Sequence, residues 1–161
     1  MQFRTPAFAA AVQRILAETG FPPEYLELEL TESIFIGDFV HARRVFGEIQ
    51  KIGVVVTIDD FGIGQSSLSY LHNLPFQRLK IDQSFIAALS GPECEKCTPL
   101  IANIIGMAAS LGMTSVAEGI DCAGHVEILR SLGCDEGQGY YFSPPLPPGE
   151  FLNVWMARSV E

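Results

Sequence analysis

The segment GVVVTIDDFGIGQSSLSYL, residues 53–71, decides how the chain reads. Val54, Val55, Val56 and Ile58 form a short β-branched run that stops at two adjacent carboxylates, Asp59 and Asp60. A run of this length and composition reads as a buried strand. A glycine-punctuated turn follows, Phe61-Gly62-Ile63-Gly64, and Ser66 and Ser67 are placed to cap a new helix. A strand that ends in paired acids can aim charge at a cation or a substrate, and in α/β folds sites are built at the C-terminal ends of strands. The same string also suits ordinary capping and turn formation. Recurrence separates the two readings, because the same design returns four more times along the chain.

Working outward, helical and strand patterns alternate. Phe8, Val12, Ile15 and Leu16 mark a helix over residues 6–19, closed by Gly20, Pro22 and Pro23. YLELELTE then alternates leucine with glutamate as a strand. Asp38 is placed to cap a helix whose stripe is Val45, Phe46, Ile49 and Ile52. Beyond the central segment, a helix is expected at 66–72, a strand at RLKID (78–82), a loop over 90–98 and a helix from Pro99 to Leu111. A strand at TSVAEG (114–119), a helix at 122–132, a strand EGQGYYF and a last helix at 149–158 complete the series. Tyr140, Tyr141 and Phe142 are expected to pack inside the sheet, and Trp155 in the core. Nothing marks a linker or second domain, so residues 1–161 read as one unit.

Strand–helix repeats imply a parallel sheet covered by helices through right-handed crossovers. Glu29, Asp59, Lys80, Glu118 and Gln138 share one parity near the strand ends, whereas Leu28, Leu30, Ile58, Leu79, Ile81 and Ala117 have the other. Polar groups converging on one rim, with apolar groups facing the helices, is the layout of a (β/α)8 barrel. A whole barrel takes about 250 residues, so five strands imply a partial one.

Composition narrows the chemistry. With 48% apolar and 18% charged residues the chain is globular. Its formal charge of −9 and lack of a basic stripe argue against binding a nucleic acid polymer. Without a long apolar run or a signal-peptide pattern, the expectation is a cytoplasmic protein that does not enter a membrane. Cys94 and Cys97 form a lone CxxC; with Cys122 and Cys134 they read as reduced, incidental thiols. His41, His72 and His125 are expected to carry no chemistry.

Three acids, Glu29, Asp59 and Glu118, flanked by Glu32 and Asp60, make a hard-oxygen set suited to Mg²⁺ or Mn²⁺ rather than zinc. From the residues alone, metal-assisted phosphodiester hydrolysis and metal-assisted enolisation both remain open.

The strings ELTES (29–33), TIDDFGIGQSSLSYL (57–71), LKIDQSFI (79–86), SVAEGID (115–121) and GCDEGQGYYFSPPLP (133–147) resemble the EAL family of cyclic di-GMP phosphodiesterases. The resemblance runs from Gln2 to Phe151 and implies the fold, a Mg²⁺ or Mn²⁺ cofactor and cyclic di-GMP as ligand. It implies metal ligation by Glu29, Asp59, Asp60 and Glu118. Lys80 then orients the catalytic water, and Gln138 stands near substrate or water. Glu32 holds the loop after the two aspartates, whose residues Phe61, Gly62, Gly64 and Ser66 couple the site to a dimer interface.

The departures are as informative. The EAL tripeptide and the asparagine ligand of the next family strand have no counterpart in the chain, and Ile63 and Gln65 replace the loop's usual Thr and Tyr. The chain therefore reads as an N-terminally truncated EAL domain, expected to be inactive or very weak alone. A non-catalytic binding or interaction module is the alternative. The regular LELEL edge predicts a two-fold homodimer.

Overall fold

The computed structural model describes residues 7–31, 39–63, 71 and 73–158, with the side chains of 154–158 excepted. Helix α1 (Phe8–Thr19) precedes strand β1 (Glu27–Thr31), helix α2 (Phe39–Ile52) and strand β2 (Val55–Phe61). Strand β3 (Arg78–Ile81), a short helix α3 (Gln83–Ala88) and the long helix α4 (Cys94–Ser110) follow. Strand β4 (Thr114–Ala117), helix α5 (Ala123–Ser131), the two-residue strand β5 (Glu136–Gly137) and helix α6 (Pro148–Arg158) complete the order.

Among the described residues five strands, all parallel, lie in the order β1-β2-β3-β4-β5, each beside its neighbour in sequence. A doubly wound sheet reverses direction at a switch point. This one does not, so it is part of a (β/α)8-type barrel, as the strand parity predicts. The helix-facing residues Val54, Val56, Ile58, Leu79, Ile81 and Ala117 are buried against Val45, Phe46 and Ile49 of α2 and Ile101, Ile104, Ile105 and Ala108 of α4. Phe46 is fully buried, so truncating it to Ala would cost about 3–5 kcal/mol.

Three expectations need correction. The loop expected over 90–98 ends early, because α4 begins at Cys94 and carries Pro99 inside it. Pro99 lies within the helix's second turn, where its missing N–H removes one bond without ending the helix. The strand expected over EGQGYYF stops at Gly137. A Cβ on Gly139 would lie 2.1 Å from the carbonyl oxygen of Ile120, so the chain turns there in close backbone contact. Tyr140, Tyr141 and Phe142 are consequently exposed rather than packed in the sheet. Of the expected helix at 66–72 only Leu71, helical and buried, is described, and the Asp38 cap, His72 and the Trp155 side chain lie outside the described residues.

No helix among the described residues is long and apolar enough to cross a membrane.

Candidate active site at the strand ends

Alternation along β1, β2 and β3 sends Glu29, Asp59 and Lys80 to one face, and Glu118 joins them just beyond β4. Lys80 is the hub. Its Nζ lies 2.7 Å from Glu29 Oε1, 3.1 Å from Asp59 Oδ1 and 2.6 Å from Glu118 Oε1. Burial by itself would lower the Lys80 pKa, but its pairing with the carboxylates of Glu118, Glu29 and Asp59 outweighs it and holds the ammonium above its ordinary value. Gln138, one residue past β5, donates from Nε2 to Glu118 Oε1 at 2.7 Å.

Adjacent residues of a regular strand point to opposite faces, which would send Asp60 away from Asp59. The structure prevents this with an extra residue. Ile58 pairs with Leu79 but Phe61 with Ile81, so three steps on β2 match two on β3. Asp60 occupies this bulge at φ 54°, the left-handed region that non-glycine residues rarely adopt. The ligand oxygens of Asp59, Asp60 and Glu118 thereby lie within 4.8 Å of one another. Burial, then the negative charges of Asp59 and Asp82, raise the Asp60 pKa, with Lys80 opposing them.

These carboxylates fit a divalent ion. Asp59 Oδ1 is buried and has no hydrogen-bond partner, its approach to Lys80 lacking hydrogen-bond geometry. Beside Asp60 and Glu118, this oxygen faces the Lys80 ammonium without a directed hydrogen bond, a place that a hard cation would fit.

Below this layer the same barrel face carries a second polar set. The Thr57 hydroxyl donates to Glu27, while Arg78 bridges Glu27 at 3.4 Å and Glu136 at 2.8 Å. Glu27 thus has defined partners. Alongside the acids, a cleft of about 830 Å³ runs from Glu118 and Gln138 past Gln83 and Asp121 to Tyr140. Gln83 and Asp121 were not singled out from sequence. Both lie inside the quoted strings LKIDQSFI and SVAEGID, and the cleft is what brings them beside Glu118 and Gln138. Of the loop residues, Phe61 is buried, and Gly62 (φ 104°) sits where a Cβ would come within 2.6 Å of the Phe85 ring. Glu32, Gly64 and Ser66 lie outside the described residues.

The parallel barrel sheet thus gathers carboxylates, a lysine and a glutamine at its strand ends, and Asp59, Asp60 and Glu118 among them could hold a metal ion. The chain matches the EAL domain model over residues 1–145 and belongs to that family. Among relatives, the cyclic di-GMP phosphodiesterase NbdA of Pseudomonas aeruginosa is 38% identical over 147 residues, 89% of this chain and 18% of NbdA. The EAL domain of DcpA from Mycobacterium smegmatis superposes with a TM-score of 0.89 at 36% identity, covering 97% of this chain and 69% of that one. The phosphodiesterase PaMucR, solved in complex with c-di-GMP, gives 0.86 at 33% identity, covering 93% and 60%; MucR is a Pseudomonas aeruginosa protein. The chain spans about a fifth of the length of the curated relatives it matches.

Proposed function

We propose that this chain is the strand-end half of a cyclic di-GMP phosphodiesterase site, acting by metal-dependent hydrolysis to linear pGpG. The observation that carries the reading is the convergence of Glu29, Asp59, Asp60 and Glu118 around Lys80, with an Asp59 oxygen that makes no directed hydrogen bond. Glu29, Asp59, Asp60 and Glu118 would hold Mg²⁺ or Mn²⁺, which when bound neutralises phosphoryl charge and activates water. Lys80 holds the carboxylates in register and presents a permanent positive charge to the phosphoryl oxygens. Gln138 fixes the rotamer of Glu118, and the cleft accepts the rest of the dinucleotide. Hydrolysis adds water across one P–O bond: phosphorus gains the hydroxyl oxygen, and the leaving 3′-oxygen takes the proton.

The EAL glutamate and the asparagine ligand have no counterpart in the 161 residues, so turnover by this chain alone is very weak. A second reading, a non-catalytic module that binds cyclic di-GMP or a protein, is favoured by Lys80. Its ammonium already neutralises three carboxylates that a metal would otherwise claim. As an isolated chain it forms a two-fold homodimer through the outer edge of β1; a 17.6 kDa species at every concentration in light scattering would refute that. The functional test is cyclic di-GMP hydrolysis and calorimetric binding, each with Mn²⁺, with Mg²⁺ and with neither. Metal-dependent binding with slow turnover, both lost in Asp59→Asn, supports the enzyme reading. Metal-independent binding without turnover supports the module.

A further inference from the structure

At the N-terminal end of α5, where Asp121 borders the cleft, lies a cluster whose His125 and Cys122 the hydrolytic reading does not use. His125, in the first turn of α5, is 1% exposed. Its Nε2 is 2.7 Å from Ser90 Oγ, but its Nδ1 is buried without a hydrogen-bond partner. Asp121 Oδ1 stands 3.0 Å from that nitrogen without the geometry of a hydrogen bond. Cys122 is a free thiol at the helix N-cap whose side chain makes no capping bond. One ligand atom from each of Asp121, Cys122 and His125 lies within 4.8 Å of the other two.

We propose that Asp121, Cys122 and His125 form a Zn²⁺ site. The donors are one carboxylate oxygen, one sulfur and one imidazole nitrogen, a set that suits zinc and not the Mg²⁺ or Mn²⁺ of the all-oxygen acids. Bonds of about 2.0–2.3 Å put tetrahedral ligands roughly 3.5 Å apart, so the three close around an ion with small side-chain shifts. A cation beside a helix N-terminus opposes the helix dipole. Here one carboxylate and one thiolate bring Zn²⁺ to neutrality, and that objection lapses. A ligating histidine ordinarily engages a polar group through its other nitrogen, and Ser90 already occupies that place on Nε2. The fourth position is left for water or a ligand group, and Asp121 borders the cleft that Glu118 also lines. The CxxC pair, in contrast, belongs to no such group of three among the described residues.

Co²⁺ serves as the probe, because thiolate ligation gives an intense near-ultraviolet charge-transfer band that oxygen ligation lacks. The expected result is a band saturating at one equivalent, displaced by Zn²⁺. It persists when Cys94, Cys97 and Cys134 are all replaced by Ser, disappears in Cys122→Ser and weakens at least tenfold in affinity in Asp121→Asn. Ser90→Ala, which leaves the three ligands in place, lowers affinity about 10-fold to 100-fold. A purely structural Ser90–His125 bond would change the melting temperature and leave metal affinity untouched. His125→Gln removes a buried ligand and risks the fold, so the two more exposed ligands carry the decision, with circular dichroism as the folding control. No band, a band that survives Cys122→Ser, or Co²⁺ uptake without thiolate character would each overturn the site.

Discussion

Asp59 and Asp60 are consecutive residues of one strand, yet their carboxylates reach the same space, because Asp60 sits in a bulge with φ 54°. The backbone there is held in a conformation it would not choose alone, next to the acids that define the site. Strain of this kind persists where the surroundings over-determine it.

This gives a prediction that separates backbone from side chain. Asp60→Gly removes the left-handed penalty but adds chain entropy in the unfolded state, so its stability should stay within about 1 kcal/mol of the parent. Asp60→Val keeps the penalty and adds β-branching, and should be less stable than Asp60→Gly by about 1–2 kcal/mol. Both lose a ligand, so Mn²⁺ affinity should fall equally in the two. Urea unfolding in metal-free buffer, beside a metal titration, checks both halves.

Lys80→Met should destabilise the fold by about 3 kcal/mol at neutral pH, the low end for breaking a buried ion cluster because Glu29 is half-exposed and screened. Divalent ions should restore part of that loss by replacing the missing charge among the acids. In the parent protein the Lys80 pKa is raised, so its contribution is complete below the ordinary lysine value of 10.5 and is lost only as pH climbs through the higher folded value. The stability gap between parent and variant, measured by urea midpoints, should therefore not shrink between neutral pH and pH 10.

Asp135 offers the opposite sign. Its carboxylate accepts from the Ser115 hydroxyl at 2.7 Å and the Ser115 amide at 2.8 Å, and these bonds lower its pKa below the ordinary 3.8. Its contribution is present above 3.8 and lost as pH falls through the lowered folded value. Ser115→Ala should cost about 1 kcal/mol at pH 7, modest because Asp135 faces solvent. That difference should fade in strong acid, as thermal melts over an acid series will record.

Gly139→Ala places a methyl where the Ile120 carbonyl already stands, so the turn after β5 must move. The bonds from the Ile120 amide to the Gln138 carbonyl and from the Tyr141 amide to the Ile120 carbonyl would be lost with it. We expect a cost of about 3 kcal/mol. Amide exchange should accelerate at Ile120 and Tyr141 first, while the α2 and β2 amides stay protected.

Much of the fold was legible because apolar parity and helical periodicity agree along the chain. Leu79 and Ile81 face the helices and Lys80 the interior because a strand has period two. The site was legible less evenly. Parity alone brings Glu29, Asp59, Lys80 and Glu118 together, whereas Asp60 needs a bulge that no local pattern announces. Tyr140 to Phe142 have high strand propensity, but the contact at Gly139 overrides it. Pro99 suggested a helix start, although the helix is stable enough to begin one turn earlier. His125 looked idle because nothing in the sequence places Ser90, from the turn after α3, against its ring.

Every strand in the sheet lies beside the one that precedes it in the chain. Each crossover therefore closes the shortest loop that this strand order permits, and the sheet can grow one unit at a time as the polypeptide emerges. The chemistry cannot grow that way. Glu29 is synthesised early, Lys80 midway and Glu118 late, and Gln138, which fixes the Glu118 carboxylate, comes later still. During synthesis the strands can therefore pair before the polar cluster around Lys80 is complete.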